Sequence, residues 1–231
     1  MLFAGLQKLT LLDYPGHTAC TVFTQGCDFR CPFCHNASLL DACAAPEHPV
    51  LEDDVLAFLR KRQGTLDGVC VTGGEPLLHP ELYDFILRAR ELGFDVKLDT
   101  NGNHPAYLRR LIDERLLAMV AMDVKNSPAH YARTVGLPRF DIGPVRESAA
   151  LLMENKVPFE FRTTVTNELH SEEDFAAIGQ WLQGDEPYFL QCYVDSGHVL
   201  HPGLTAPSRE RTEAFRAAAL PFLPNTSLRG V

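Results

Sequence analysis

At 231 residues, with 45% hydrophobic and 22% charged side chains, the chain has the make-up of one compact globular domain, and 16 Gly plus 16 Pro spread along it exclude a low-complexity or collagenous protein. The 21 basic against 30 acidic side chains, a formal charge of −9, exclude a protein that coats nucleic acid phosphates, which needs clustered Lys and Arg. No apolar run approaches the roughly 20 residues of a bilayer-spanning helix, so no membrane segment is expected.

The apolar start MLFAGLQKLTLLDYPG lacks a basic segment ahead of it and is interrupted by Gln7 and Lys8, which predicts a cytoplasmic rather than an exported protein. Short β-branched or apolar runs then predict six strands: Ala19 to Thr24, Gly68 to Val71, Phe94 to Asp99, Leu117 to Asp123, Pro158 to Val165 and Tyr188 to Val194. Between them, Leu82, Phe85, Ile86 and Ala89 have helical spacing, as do Phe175, Ile178 and Leu182, the latter helix opening on a capping box from Ser171 to Asp174. A last helix from Ser208 to Leu220 is punctuated by Pro202, Pro207, Pro221 and Pro224. Neither a repeat nor a linker divides the chain, so one domain over 1–231 is expected, a core of about 15–195 followed by a helix and tail over 196–231.

Regular alternation of apolar strands with helices predicts an α/β fold whose parallel sheet is covered by helices. A closed eight-unit barrel needs about 250 residues, so six units fit a partial (β/α)6 TIM-like barrel. In such sheets ligands sit on the loops leaving the C-terminal strand ends. The polar clusters Gln25 to Asn36, Thr72 to Pro76, Asp99 to Asn103 and Asp123 to Asn126 all fall there.

Seven cysteines, three of them within eight positions, do not resemble a disulfide framework; they point to a reducing compartment and a metal. Cys27, Cys31 and Cys34 form C-x3-C-x2-C inside QGCDFRCPFCHN, a soft, charge-rich donor set. A [4Fe-4S] cube offers four corners, so three thiolates leave one iron open to a reacting ligand. Two blander readings stand beside this one: Cys31 and Cys34 as a thioredoxin-like redox pair, or a zinc knot completed by His35. Cys20, Cys70 and Cys192 lie in predicted strands and read as inert packing.

The triplet, with aromatic Phe33 before its last cysteine, resembles the signature of the radical S-adenosylmethionine superfamily. Together with DYPG at Asp13 to Gly16, TGGEP at Thr72 to Pro76, DTNG at Asp99 to Gly102 and MDVK at Met122 to Lys125, it resembles the glycyl-radical-enzyme activases. Within that branch it is most similar to the activating proteins of anaerobic ribonucleoside-triphosphate reductase, with the pyruvate formate-lyase activases as near relatives. The matches run from about Asp13 to Val165.

On their own, Gly73 and Gly74 read as a tight turn or a place where a ligand can approach closely. The resemblance implies that Gly73, Gly74 and Glu75 hold the amino group of the nucleotide's methionine, with Phe33 beside the cofactor. Aspartates at strand ends ordinarily cap turns, and oxygen-rich groups bind hard cations. The resemblance implies a monovalent cation held by Asp99, Thr100, Met122 and Asp123 beside the methionine carboxylate. Lys125 would face the sulfonium ligand or its carboxylate. Arg162, a charge in an otherwise apolar strand, needs a partner, for which the cofactor carboxylate is suited. Related activases carry a late histidine near the ribose, but neither His198 nor His201 aligns with it, and the role of His17 is left open.

The implied chemistry is reductive cleavage of S-adenosylmethionine to a 5′-deoxyadenosyl radical, which takes a glycine hydrogen from a large partner enzyme, the anaerobic reductase above all. With no flavin or second cluster motif in the sequence, an outside electron donor such as flavodoxin or ferredoxin is expected. The rival readings are a radical enzyme acting on a small molecule, such as a deazapurine or heme precursor, and a metal-stabilised binding module without turnover.

Overall fold

The computed structural model describes residues 1–195, 197 and 199–230, so His198 lies outside the described residues. In chain order the elements are β1 (Leu2–Phe3), β2 (Gly5–Thr10), β3 (Ala19–Thr24), β4 (Val50–Leu51), α1 (Glu52–Arg60), β5 (Gly68–Gly73), α2 (Leu82–Glu91), β6 (Asp95–Thr100) and α3 (Pro105–Asp113). There follow β7 (Met119–Asp123), α4 (Tyr131–Thr134), α5 (Gly143–Met153), β8 (Phe159–Val165), α6 (Glu172–Leu182), β9 (Tyr188–Cys192), α7 (Arg209–Ala219) and β10 (Thr226–Arg229).

Eight strands form one sheet in the order β10-β9-β8-β7-β6-β5-β3-β2, while β1 and β4 pair in a separate ribbon. All neighbours in the large sheet are parallel except β2, which runs antiparallel to β3. The six expected strands are the inner six, in sequence order, the arrangement of a partial barrel built by successive right-handed crossovers. Two edge strands were not expected. Gly5–Thr10 has a mostly exposed or half-exposed pattern, so burial left little signature in it. Thr226–Arg229 follows the proline-punctuated segment and makes part of the expected tail the last strand of the sheet.

The strands are less uniformly apolar than the run-based reading supposed. On one face, Val69, Val71, Val96, Leu98, Val120, Met122, Phe159 and Phe161 are buried. Against the sheet, α2 sets Leu82, Phe85, Ile86 and Ala89, and α6 sets Phe175, Ile178 and Leu182. Each such side chain is worth about 1.5–3 kcal/mol when fully buried. The alternate positions, on the opposite face because strand side chains repeat every two residues, carry Lys97, Asp99, Glu160 and Arg162. The α6 capping box is formed: Asp174 N donates to Ser171 Oγ, and Ser171 N donates to Asp174 Oδ2 at 3.0 Å.

The DYPG segment lies at the N-terminal ends of the strands, opposite the triplet. Tyr14 is 2% exposed, and a Cβ on Gly68, the first residue of β5, would come within 2.8 Å of its ring. Asp13 Oδ2 accepts from Thr21 Oγ1 at 2.6 Å, and the His17 ring stacks on Tyr14 with centroids 4.0 Å apart. This motif is therefore a floor plug, and His17 belongs to it rather than to the ligand end. No helix of the described residues is long and apolar enough to cross a membrane.

Candidate active site

The loop after β3 carries the three cysteines and is fixed by its neighbours rather than by its own secondary structure. Gly26 N donates to Leu39 O at 2.7 Å, and Arg30 N to Val135 O at 2.8 Å. Phe29 packs edge-on against Phe140 and Tyr131, with centroids 5.1 and 6.4 Å away. Gly136, at φ +70°, lies so close to this loop that a Cβ there would be 2.3 Å from Arg30 O.

Cys27, Cys31 and Cys34 line one cavity of ≈ 170 Å³ at the C-terminal end of the sheet, with Phe33 and His35 in its wall. Gly73 and Gly74 reach it from β5, Asp99 and Thr100 from β6, and Asp123 and Lys125 from the β7 end. Burial pushes the Cys27 and Cys31 thiols up to about 12 and raises Cys34 as well. The thiols thus need a strong positive charge to ionise, which bound iron supplies. All seven cysteines are free. The ring of His35, which a zinc knot would require, is stacked on Tyr193 at 5.5 Å.

The glycine pair lines the cavity and is also required by the backbone around it. A Cβ on Gly74 would sit 1.9 Å from Gly26 O, and one on Gly73, at φ +123°, 2.3 Å from Thr24 N. Gly74 N donates to Thr24 O at 3.0 Å and Glu75 N to Gly26 O at 2.8 Å. The close approach is thus between two protein backbones, and it seats the cysteine loop on β5.

Glu75, Met122 and Arg162 lie outside the cavity wall. Glu75 is fully buried and accepts from Leu77 N, Thr100 Oγ1 and Asn101 N at 3.1, 2.8 and 2.7 Å. Burial raises its carboxyl to about 7. Three of its acceptor positions are taken by the chain itself, two on Oε1 and one on Oε2. Met122 is buried beneath Gly102, where a Cβ would lie 3.0 Å from its sulfur. Arg162 donates from Nε to Asp123 Oδ1 at 3.0 Å and from Nη1 to Asp99 Oδ2 at 3.2 Å, so its first partners are carboxylates of the protein. Lys125 Nζ donates to Asp123 Oδ2 at 2.9 Å and lies 5.9 Å from the Phe33 ring centre. Burial opposes charge on Asp123, but Arg162 and Lys125 outweigh it and hold the carboxyl down at about 2.

Sequence reasoning missed two groups of residues. Lys97, 1% exposed on β6, is ion-paired with Asp99. Asp28, beside Cys27, accepts from Asn101 Nδ2 at 2.7 Å and Asn103 Nδ2 at 2.6 Å and meets His104 Nε2 at 3.0 Å. Burial would raise Asp28, yet these three partners leave it below the usual carboxylate range. The only sequence signal for the network was the density of polar residues after β6. His201 meets the cysteine loop through its backbone, its N donating to Pro32 O at 3.0 Å.

Residues 21–182 match the model of the Radical SAM superfamily. A Methanocaldococcus jannaschii protein provisionally named as a glycyl-radical enzyme activating enzyme is 30% identical over 100% of this chain and 96% of its own length. The 7-carboxy-7-deazaguanine synthase of Methanopyrus kandleri is 30% identical over 81% of this chain and 78% of its own. A domain of pyruvate-formate lyase-activating enzyme from Bacteroides vulgatus superposes with a TM-score of 0.57 at 19% identity, over 71% of this chain and 99% of that one. The donor set fits the family's cofactors, a [4Fe-4S] cluster and S-adenosylmethionine: three soft thiols line the same cavity as Gly73, Gly74, Asp99, Asp123 and Lys125. The chain belongs to the Radical SAM superfamily and is a radical S-adenosylmethionine enzyme.

Proposed function

We propose that this enzyme activates a glycyl radical enzyme, anaerobic ribonucleoside-triphosphate reductase in particular, by removing one glycine hydrogen. The observation that carries the activase reading is the end-to-end likeness to the M. jannaschii protein named as a glycyl-radical enzyme activating enzyme, and the choice of the reductase rests on the sequence motifs. Cys27, Cys31 and Cys34 would hold the cluster, and when bound the cluster and nucleotide supply the 5′-deoxyadenosyl radical. The chain's own task is positioning. Gly73 and Gly74 seat the cysteine loop, Phe33 and Lys125 would flank the nucleotide's methionine end, and the paired charges of Asp99, Asp123 and Arg162 would fix that end of the cavity. The cavity opens at the C-terminal strand ends, where a peptide loop of a partner can enter. Flavodoxin or ferredoxin in the cytoplasm would supply the electron.

Anaerobic mixing of the reconstituted enzyme with the reductase, S-adenosylmethionine and a reductant should give a glycine-centred doublet in electron spin resonance, with 5′-deoxyadenosine formed. Nucleotide cleavage without a doublet on any glycyl radical enzyme would overturn the proposal. The likeness to 7-carboxy-7-deazaguanine synthase favours a second reading, radical chemistry on a small deazapurine precursor. Turnover of such a precursor in the same reconstituted system would establish it instead.

A further inference from the structure

The carboxylates that the activase resemblance assigns to a monovalent cation are already saturated by the protein's own positive charges. Asp99 Oδ1 is paired with Lys97, and its Oδ2 with Arg162. Asp123 Oδ1 takes Arg162 and its Oδ2 takes Lys125. Thr100 Oγ1 donates to Glu75 and accepts from Gly102 N. Lys97, Lys125 and Arg162 against Asp99 and Asp123 leave one positive charge in excess before any ion is added. A further cation would meet repulsion in a poorly solvated place, whereas an incoming carboxylate would meet attraction.

Lys97 has the placement for this task. It stands two residues before Asp99 on the same face of β6, its side chain is 1% exposed, and its neighbours in register are Cys70 on β5 and Met119 on β7, neither of which is charged against it. We propose that the Lys97 ammonium is a built-in substitute for the monovalent cation, so that this enzyme binds S-adenosylmethionine without one. Lys97 is a positioning residue: it offsets the charge of Asp99, so that one positive charge of the Arg162 and Lys125 cluster stays unbalanced and attracts the methionine carboxylate. The inference rests on the family's cofactor and not on the identity of the glycyl partner, so either can fail without the other.

The test is equilibrium binding of S-adenosylmethionine to the reconstituted enzyme, and thermal unfolding of the cluster-free chain, in potassium, sodium or choline chloride at equal ionic strength. The native chain should show affinities within about twofold in all three salts and no cation-specific shift in Tm. Lys97→Ala, which opens Asp99 Oδ1, should bind about tenfold more weakly in choline and recover in potassium or sodium, with a matching rise in Tm. Lys97→Met, which fills the space without charge, should lose affinity and not recover. An affinity of the native chain that rises about fivefold or more with potassium or sodium overturns the proposal, and this measurement needs no variant. A Lys97→Ala chain whose affinity and Tm are indifferent to the cation overturns it as well.

Discussion

Replacing Gly74 with Ala adds a single methyl group where two backbones cross. Its backbone angle is not in the left-handed region, so the substitution tests contact alone. The new Cβ would lie 1.9 Å from Gly26 O and 2.6 Å from Gly26 C. Gly26 is itself tethered, its N–H bonded to Leu39 O at 2.7 Å. Restoring ordinary contact near 3.4 Å requires the segments to part by about 1.5 Å. That stretches the bonds from Gly74 N to Thr24 O and from Glu75 N to Gly26 O, worth about 1 kcal/mol each. With overpacking of about 1–3 kcal/mol, the loss comes to roughly 3–5 kcal/mol, or about 6–20 °C in Tm. Urea unfolding of the cluster-free chain measures this. Because Cys27 follows Gly26 directly, iron and sulfide analysis after reconstitution should show cluster content falling to less than about half. Gly184→Ala is the control: its nearest atom is 3.7 Å away, and it should stay within about 0.5 kcal/mol. A Gly74→Ala chain as stable as that control and fully loaded with iron would refute the crossing argument.

Glu75 should make stability depend on pH. Burial raises its folded carboxyl from 4.5 to about 7, so between those values the folded chain keeps a proton that the unfolded chain has released. Stability therefore falls as pH rises through that window, by about 3 kcal/mol in all, and Glu75→Gln should flatten the slope in urea titrations from pH 5 to 7.5; an unchanged slope speaks against it. Tyr14→Ala should cost about 3–5 kcal/mol by leaving a hole in the floor while S-adenosylmethionine affinity stays within about twofold, so a large loss of affinity would place Tyr14 in the binding machinery after all.

Much of the inner sheet was legible because its signals are local. Runs such as ACTVFT and FEFRTTV, and the Ser171 to Asp174 cap, depend on neighbours a few residues away, and the six inner strands follow from them. The edge strands were not legible, since β2 is largely exposed and β10 is short and follows Pro221 and Pro224. Long-range contacts were hidden for the same reason. Glu75 reads as a ligand in sequence, but its partners are Thr100 and Asn101 on the next strand and loop. Lys97 looks like an ordinary polar residue in a strand until the register brings Arg162 to the far side of Asp99.

The pairing of Arg229 with Glu160 has a consequence for how the chain is made. Arg229 crosses the Phe189 ring, 3.3 Å from its centre, and grips both oxygens of Glu160 at 2.8 Å. The Glu160 side chain is only 4% exposed, and a charge so enclosed without its partner costs about 3–5 kcal/mol. The partner lies 69 positions downstream, so at about 5–20 residues per second the nascent polypeptide waits roughly 3–14 s on the ribosome before the pair can form. Burial of Glu160 as a paired charge is therefore deferred until β10 has been made, after every other strand of the sheet.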